Sequence, residues 1–134
     1  MACTWIKPRR ASRGKSIAQT IADCINYVKN PEKTRNGELV TGYQCDPNTA
    51  TMEFVLSKQQ YADITGRDQG SRDILVYNVR QSFKPGEIAP ELANRLGYEL
   101  AMRFTRGRHS FIVATHVDRA HIHNHITINS TALG

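Results

Sequence analysis

The 134-residue chain has no apolar stretch fit to cross a bilayer. Its longest clean apolar run near the C-terminus, Phe111-Ile112-Val113-Ala114, is strand-sized. Residues 1–15 are polar and basic and carry no apolar central segment, so no secretory signal is expected and a cytoplasmic location is the default. Cysteine is scarce: Cys3, Cys24 and Cys45 form no CxxC pair, which excludes a zinc knuckle and a disulfide framework. Reduced, structural thiols are expected. Internal repeats, low-complexity tracts and linkers are also missing, and the length suits one domain spanning residues 1–134. Acidic residues are in deficit, 12 against 18 Lys and Arg, which leaves a net charge of +6.

That surplus favours an anionic partner, most commonly nucleic acid. Its distribution sharpens the point. Lys7, Arg9, Arg10, Arg13 and Lys15 crowd one segment, and Arg103, Arg106 and Arg108 another. Each phosphate neutralised by such groups makes binding salt-sensitive.

Hydrophobic spacing supplies the elements. Residues 4–7 read as a strand stopped by Pro8. Ser16 is placed to cap a helix whose stripe is Ile17, Ile21, Cys24, Ile25 and Val28, ended by Asn30-Pro31. Residues 38–43 follow as a short strand. A helix capped by Asn48 or Thr49 runs to Thr65, with Gly66 at its C-terminal end. Residues 68–73 form a polar loop. Residues 74–83 are apolar on both faces and read as a buried strand. Pro90 opens a third helix with Leu92, Leu96, Leu100 and Phe104 as its apolar stripe. Residues 110–115 and 122–129 would pair as an antiparallel hairpin. The order β-α-β-α-β-α-β-β predicts an α+β domain with a mostly antiparallel sheet and helices on one face.

Four of the five histidines, His116, His121, His123 and His125, fall within ten residues. Strand alternation turns His121, His123, His125, Thr127 and Asn129 to one face and Ile122, Ile126 and Ile128 to the other. The apolar face packs; the imidazole face serves a site. Imidazoles two apart can converge on a divalent ion, His116 can add a third nitrogen across the hairpin, and coordination positions stay open for substrate. Asp118 can accept a ring N–H and orient a ligand.

The pattern His-x-Asp-x-x-His-x-His-Asn-His-x-x-x-Asn, from His116 to Asn129, resembles the third motif of mobilisation relaxases. That group includes the nickases of conjugative plasmids and the agrobacterial T-DNA border nickase, within the His-hydrophobe-His endonuclease superfamily. Gln81-Ser82-Phe83-Lys84-Pro85-Gly86-Glu87 resembles the segment before the family's third helix, and Gly14-Lys15-Ser16 through Lys33 its first motif. The likeness is greatest to relaxases of integrative elements in Gram-positive gut bacteria and covers nearly the whole chain. Family members usually continue with further domains, so the chain is expected to be the N-terminal part of a longer protein. Asn124 departs from the hydrophobe expected between the paired histidines. His121-Ile122-His123 also fits the pattern, but the downstream spacing favours His123 and His125.

The resemblance implies a relaxase-like fold with a ferredoxin- or RRM-like core and a bacterial, cytoplasmic enzyme. It implies cleavage of single-stranded transfer-origin DNA by a tyrosine that becomes 5′-phosphotyrosyl-linked, and a divalent metal: Mn or Mg, with Zn, Ni or Co as further candidates. An accessory DNA-binding protein and a coupling protein are the implied partners, and no membrane. Tyr27, on the flank of the first helix's stripe, is the favoured nucleophile and Tyr43 the runner-up. His116, His121 or Asp118 can assist with its proton. Arg9, Arg10, Arg13, Lys15 and Arg80 are the candidate DNA contacts, and Trp5 is read as a core residue rather than a base-stacking one. A non-cutting DNA-binding module and a phosphodiesterase using metal-bound water are the competing readings.

Overall fold

A computed structural model describes residues 3–67 and 73–134. Eight elements follow in the expected order: β1 (Cys3–Arg10), α1 (Ile17–Val28), β2 (Val40–Tyr43), α2 (Ala50–Thr65), β3 (Ile74–Ser82), α3 (Pro90–Thr105), β4 (Phe111–His116) and β5 (His123–Asn129). The five strands form one sheet in the order β1-β3-β5-β4-β2, and every adjacent pair is antiparallel. The α+β class and the antiparallel sheet therefore stand, consistent with a relaxase-like fold.

The helices do not share one face. His125 and Asn124 are neighbours on β5 and point to opposite sides. Tyr27 of α1 meets His125, whereas Asn124 donates to the Ala93 carbonyl of α3. So α1 and α2 cover one side and α3 the other. The sequence forces this, because β3 and β4 carry apolar side chains on both faces. Ile112 packs with Ile21, Ile25, Phe54, Leu75 and Val76 beneath α1 and α2. Phe111 and Val113 pack with Val79, Ala101, Ile126 and Ile128 beneath α3. Single-face coverage would leave one of these layers in water, at a cost of roughly 25 cal/mol per Å² of apolar surface.

Local signals explain most boundaries. The Ser16 hydroxyl accepts from the Gln19 N–H and caps α1. Gly66 takes φ 74° and closes α2 in the left-handed conformation. Two expectations shift. Pro8 does not stop β1, which runs on to Arg10; β1 is an edge strand paired only with β3, and a proline is tolerated there. On α3 the buried stripe is Ala93, Gly97, Ala101 and Thr105, while Leu92 and Phe104 are exposed. The small residues win because α3 lies very close to the sheet: a Cβ on Gly97 would meet the Asn124 amide nitrogen at 2.6 Å. Of the polar loop expected at 68–73, all but Asp73 lies outside the described residues.

Candidate active site

The β4–β5 hairpin sets the histidines. His116 is the last residue of β4 and pairs directly with His123; His125 pairs with Ala114 on one side and Arg80 on the other. The His116 and His125 rings lie 4.2 Å apart between centroids, and His123 is 6.4 Å from His125. His121 falls just before β5 rather than on it and is exposed, with its ring 6.5 Å from His123. The fifth histidine, His109, binds the Asn129 carbonyl at the far end of β5 and takes no part.

Burial pushes the imidazoles of His116 and His123 below the ordinary histidine range and His125 down to about 3, with neighbouring cations and imidazoles acting in the same direction. Neutral rings offer lone pairs, which metal binding requires. His116 is further oriented: its Nε2 lies 2.8 Å from the Val28 carbonyl. A carbonyl only accepts, so Nε2 carries the proton and Nδ1 keeps its lone pair. That carbonyl is one of the last of α1, which the helix itself leaves unpaired. Backbone carbonyls commonly hold metal-ligating histidines in this way. The Val28 carbonyl thus holds the His116 ring, while Asp118 is exposed in the lining of the cleft. Among the described residues no three His, Cys, Asp or Glu side chains already form a finished ligand set. What is assembled is a group of neutral, partly oriented imidazole donors.

Asn124, the departure from the hydrophobic pattern, is fully buried on the α3 side. It accepts from the Thr115 hydroxyl at 2.6 Å and donates to Gln81 Oε1 at 2.9 Å and to the Ala93 carbonyl at 2.6 Å. An amide serves here because polar partners surround it on three sides.

Tyr27 sits on the last turn of α1, 60% exposed, with its ring edge-on to both His125 (6.1 Å) and His116 (6.3 Å). Tyr43, the runner-up, is elsewhere: its hydroxyl donates to the Gly107 carbonyl and its ring stacks on Phe111, on the α3 side. Tyr77 and Tyr98 also belong to that layer, against Phe104 and Phe111. Tyr61 lines a separate groove between α2 and the C-terminal segment, about 930 Å³ in volume. That groove is the larger of the two but holds no histidine.

The cleft of about 430 Å³ is lined by Tyr27, Lys33, Arg80, Asp118, Arg119 and the four clustered histidines. Arg80 makes no salt bridge among the described residues, and its Nε is buried without a hydrogen-bond partner. A cation among imidazoles, in no salt bridge with the Asp118 that shares its cleft, can take an anion. Lys33 and Arg119 were missed by sequence reasoning. Lys33 stands with its ammonium 5.1 Å from the Tyr27 ring centroid, and its carbonyl accepts from the Val117 N–H. Its place within the stretch that resembles the first motif was the available signal.

The other predicted DNA contacts lie apart from the cleft. Arg9 and Arg10 end β1, and Arg9 donates to the Ser12 hydroxyl. Lys15 pairs with Asp23, and Arg13 is exposed in the loop. Both precede α1, about 15 Å along the helix from Tyr27 at 1.5 Å per residue. Trp5 is not in the core: it is 49% exposed.

Comparison with known proteins bears on this arrangement. A family model described as "Relaxase: MobA/VirD2-like, nuclease domain" matches residues 27–134, from the cleft tyrosine onward. The chain belongs to this relaxase family. It is 34% identical over 132 residues to the group II intron-interrupted relaxase LtrB of Lactococcus lactis, covering 84% of this chain and 23% of that protein. It is 39% identical over 109 residues to the protein rlx of Staphylococcus aureus, covering 81% of this chain and 30% of the relative. This relaxase chain thus spans between a fifth and a third of the length of these relatives. Among its described residues, no helix is long and apolar enough to cross a membrane.

Proposed function

We propose that this chain is the nicking domain of a longer mobilisation relaxase. It cleaves single-stranded transfer-origin DNA by transesterification, with Tyr27 as nucleophile and His116, His123 and His125 as ligands of a divalent metal. One observation carries the reading: of the five tyrosines, Tyr27 is the one whose ring meets the histidine cluster. The donor set fits a metal, since the imidazoles are neutral and His116 is already held by a backbone carbonyl. When bound, the ion polarises the scissile phosphate and offsets its developing charge.

The protein groups divide the remaining work. Arg80 neutralises a non-bridging phosphate oxygen and holds the phosphorus in front of the phenol. Lys33 keeps the Tyr27 ring in place through a cation–π contact. The Tyr27 oxygen bonds to phosphorus while the bond from phosphorus to the 3′ oxygen breaks. The phenolic proton passes to His121 or Asp118 at the cleft mouth, and the departing 3′ oxygen takes up a proton to become a hydroxyl. The phosphodiester is conserved as a 5′-phosphotyrosine, so the nick can be resealed. Mn and Mg are the favoured ions, with Zn, Ni or Co as alternatives; an accessory DNA-binding protein and a coupling protein come from the resemblance alone.

The test is a denaturing gel of protein incubated with single-stranded origin DNA, with and without Mn²⁺ or Mg²⁺. A metal-dependent covalent adduct in the wild type, lost in Tyr27→Phe, is the expected result. Nicking without an adduct, unchanged by Tyr27→Phe, would sink the transesterification and favour metal-activated water. Tight, salt-sensitive binding with no cleavage would favour a binding module.

A further inference from the structure

Strand β1 carries a feature that the nicking reaction leaves unused. Cross-strand partners share a face, so the register places residues in rows across the sheet. Trp5 pairs with Arg80, Arg80 with His125 and His125 with Ala114, which makes one row. Cys3, Ser82, His123 and His116 form the next row. Trp5 therefore stands on the same face as the metal-site histidines, two strand spacings, or about 10 Å, from His125. Lys7, two residues along, shares that face and pairs with Asn78.

The tryptophan is half exposed. α1 crosses this face near Asn78, and its last turn carries Tyr27 beside the His125 row. Every residue of β1 except the half-buried Arg9 is exposed. Between Trp5 and the histidines lies Arg80, with its buried and unpartnered Nε. A half-exposed indole beside a cation that makes no salt bridge among the described residues, on the open continuation of the histidine cleft, has the parts of a single-strand binding surface. Such surfaces combine an aromatic platform for a base with cations that follow the backbone.

We infer that Trp5 is a base-stacking platform. It holds one base of the DNA strand that flanks the scissile phosphate, while Arg80 and Lys7 engage the phosphates on either side of that nucleotide. The inference rests on the single-strand reading of the site and adds to it a positioning residue on the outermost strand. Stacking tolerates any base, so Trp5 fixes where the strand lies rather than which sequence it has.

Trp5 is the only tryptophan in the chain, so its emission reports this position directly. The probes are a labelled single-stranded oligo(dT) of about 20 nucleotides, long enough for one binding site, and an abasic oligomer of equal length and charge. Both are titrated into the full chain in EDTA, which separates binding from nicking. Oligo(dT) should quench the tryptophan emission and the abasic oligomer should not. Trp5→Ala should weaken oligo(dT) binding roughly tenfold and leave the abasic oligomer unaffected, and Trp5→Phe should restore most of the loss. Unquenched emission at saturating oligo(dT), or equal oligo(dT) affinity in Trp5→Ala and wild type, would overturn the platform while leaving the nickase reading intact. Failure of the wild type to bind oligo(dT) at low salt would overturn both.

Discussion

Replacing Asn124 with alanine would strike the support beneath two proposed metal ligands, His123 and His125, without touching either ring. Asn124 is fully buried and makes three hydrogen bonds, to Thr115, Gln81 and Ala93. Thr115 and Gln81 are themselves buried, so truncation leaves the Thr115 hydroxyl hydrogen and Gln81 Oε1 without those partners. Each stranded group costs about 1–3 kcal/mol. A water entering the vacated space would recover part of that. The net expectation is a loss of about 3 kcal/mol, a large share of a typical domain's 5–15 kcal/mol. Urea unfolding followed by circular dichroism measures it, and an unchanged m-value would show that the compared states are the same. In the folded fraction, calorimetric titration with Mn²⁺ should show affinity falling by about 10- to 100-fold, as when outer-shell partners of metal ligands are removed. A loss below about 1 kcal/mol, well under the cost of one stranded group, with wild-type Mn²⁺ affinity, would refute the argument that this amide network sets the histidine strand.

Further expectations follow from neighbouring features. Gly97→Ala should destabilise by about 1–3 kcal/mol through overpacking, since its Cβ would come within 2.9 Å of Val113 Cγ1 as well as meeting Asn124; thermal melting measures this, and a neutral result would mean α3 shifts freely. Lys58, 4% exposed, donates to Asn129, Ser130 and Thr131, and burial pushes its ammonium down to about 8 from 10.5. Between those two values the unfolded chain binds the extra proton, so stability relative to Lys58→Met should rise with pH from about 8 to 10.5. The gain is at most about 3 kcal/mol, and a flat or falling difference in urea unfolding would contradict it. Arg80→Gln should weaken single-strand binding and lower the salt slope by about one phosphate contact; an unchanged slope would remove Arg80 from the phosphate path. Tyr43→Phe should lose about 1 kcal/mol with its hydrogen bond to Gly107 yet form the covalent adduct as wild type does.

Much of this architecture was legible in the residues. Ser16, Gly66 and Pro90 marked helix ends because capping chemistry is local. Alternation put His123 and His125 on one face and Ile126 and Ile128 on the other, because strand geometry leaves no choice. What pattern reading missed was decided at a distance. The buried stripe of α3 depended on how closely Gly97 approaches Asn124, which no helical period encodes. Trp5 is exposed because β1 is an edge strand, a property of sheet order rather than of its own segment. Tyr43 stands away from the histidines because β2 is the far edge of the sheet and its tyrosine turns toward α3, again a matter of sheet order. The two thiols set among core residues, Cys24 and Cys45, are pushed up by burial, as structural cysteines should be, whereas Cys3 is exposed.

The hydrogen bond from His116 to the Val28 carbonyl joins residues 88 apart in sequence. Val28 immediately follows Tyr27, so the shortest mechanical path from phenol to imidazole is one peptide unit and one hydrogen bond. Errors in how α1 seats on the sheet therefore largely cancel, because a helix that slides carries its tyrosine and tugs the ring along with it. The gap that a phosphate would occupy in the proposed reaction is thus set by a short linkage rather than by the summed tolerances of a whole helix–sheet interface. Such a linkage would let the outer sheet breathe while the proposed nucleophile and ligand keep their spacing.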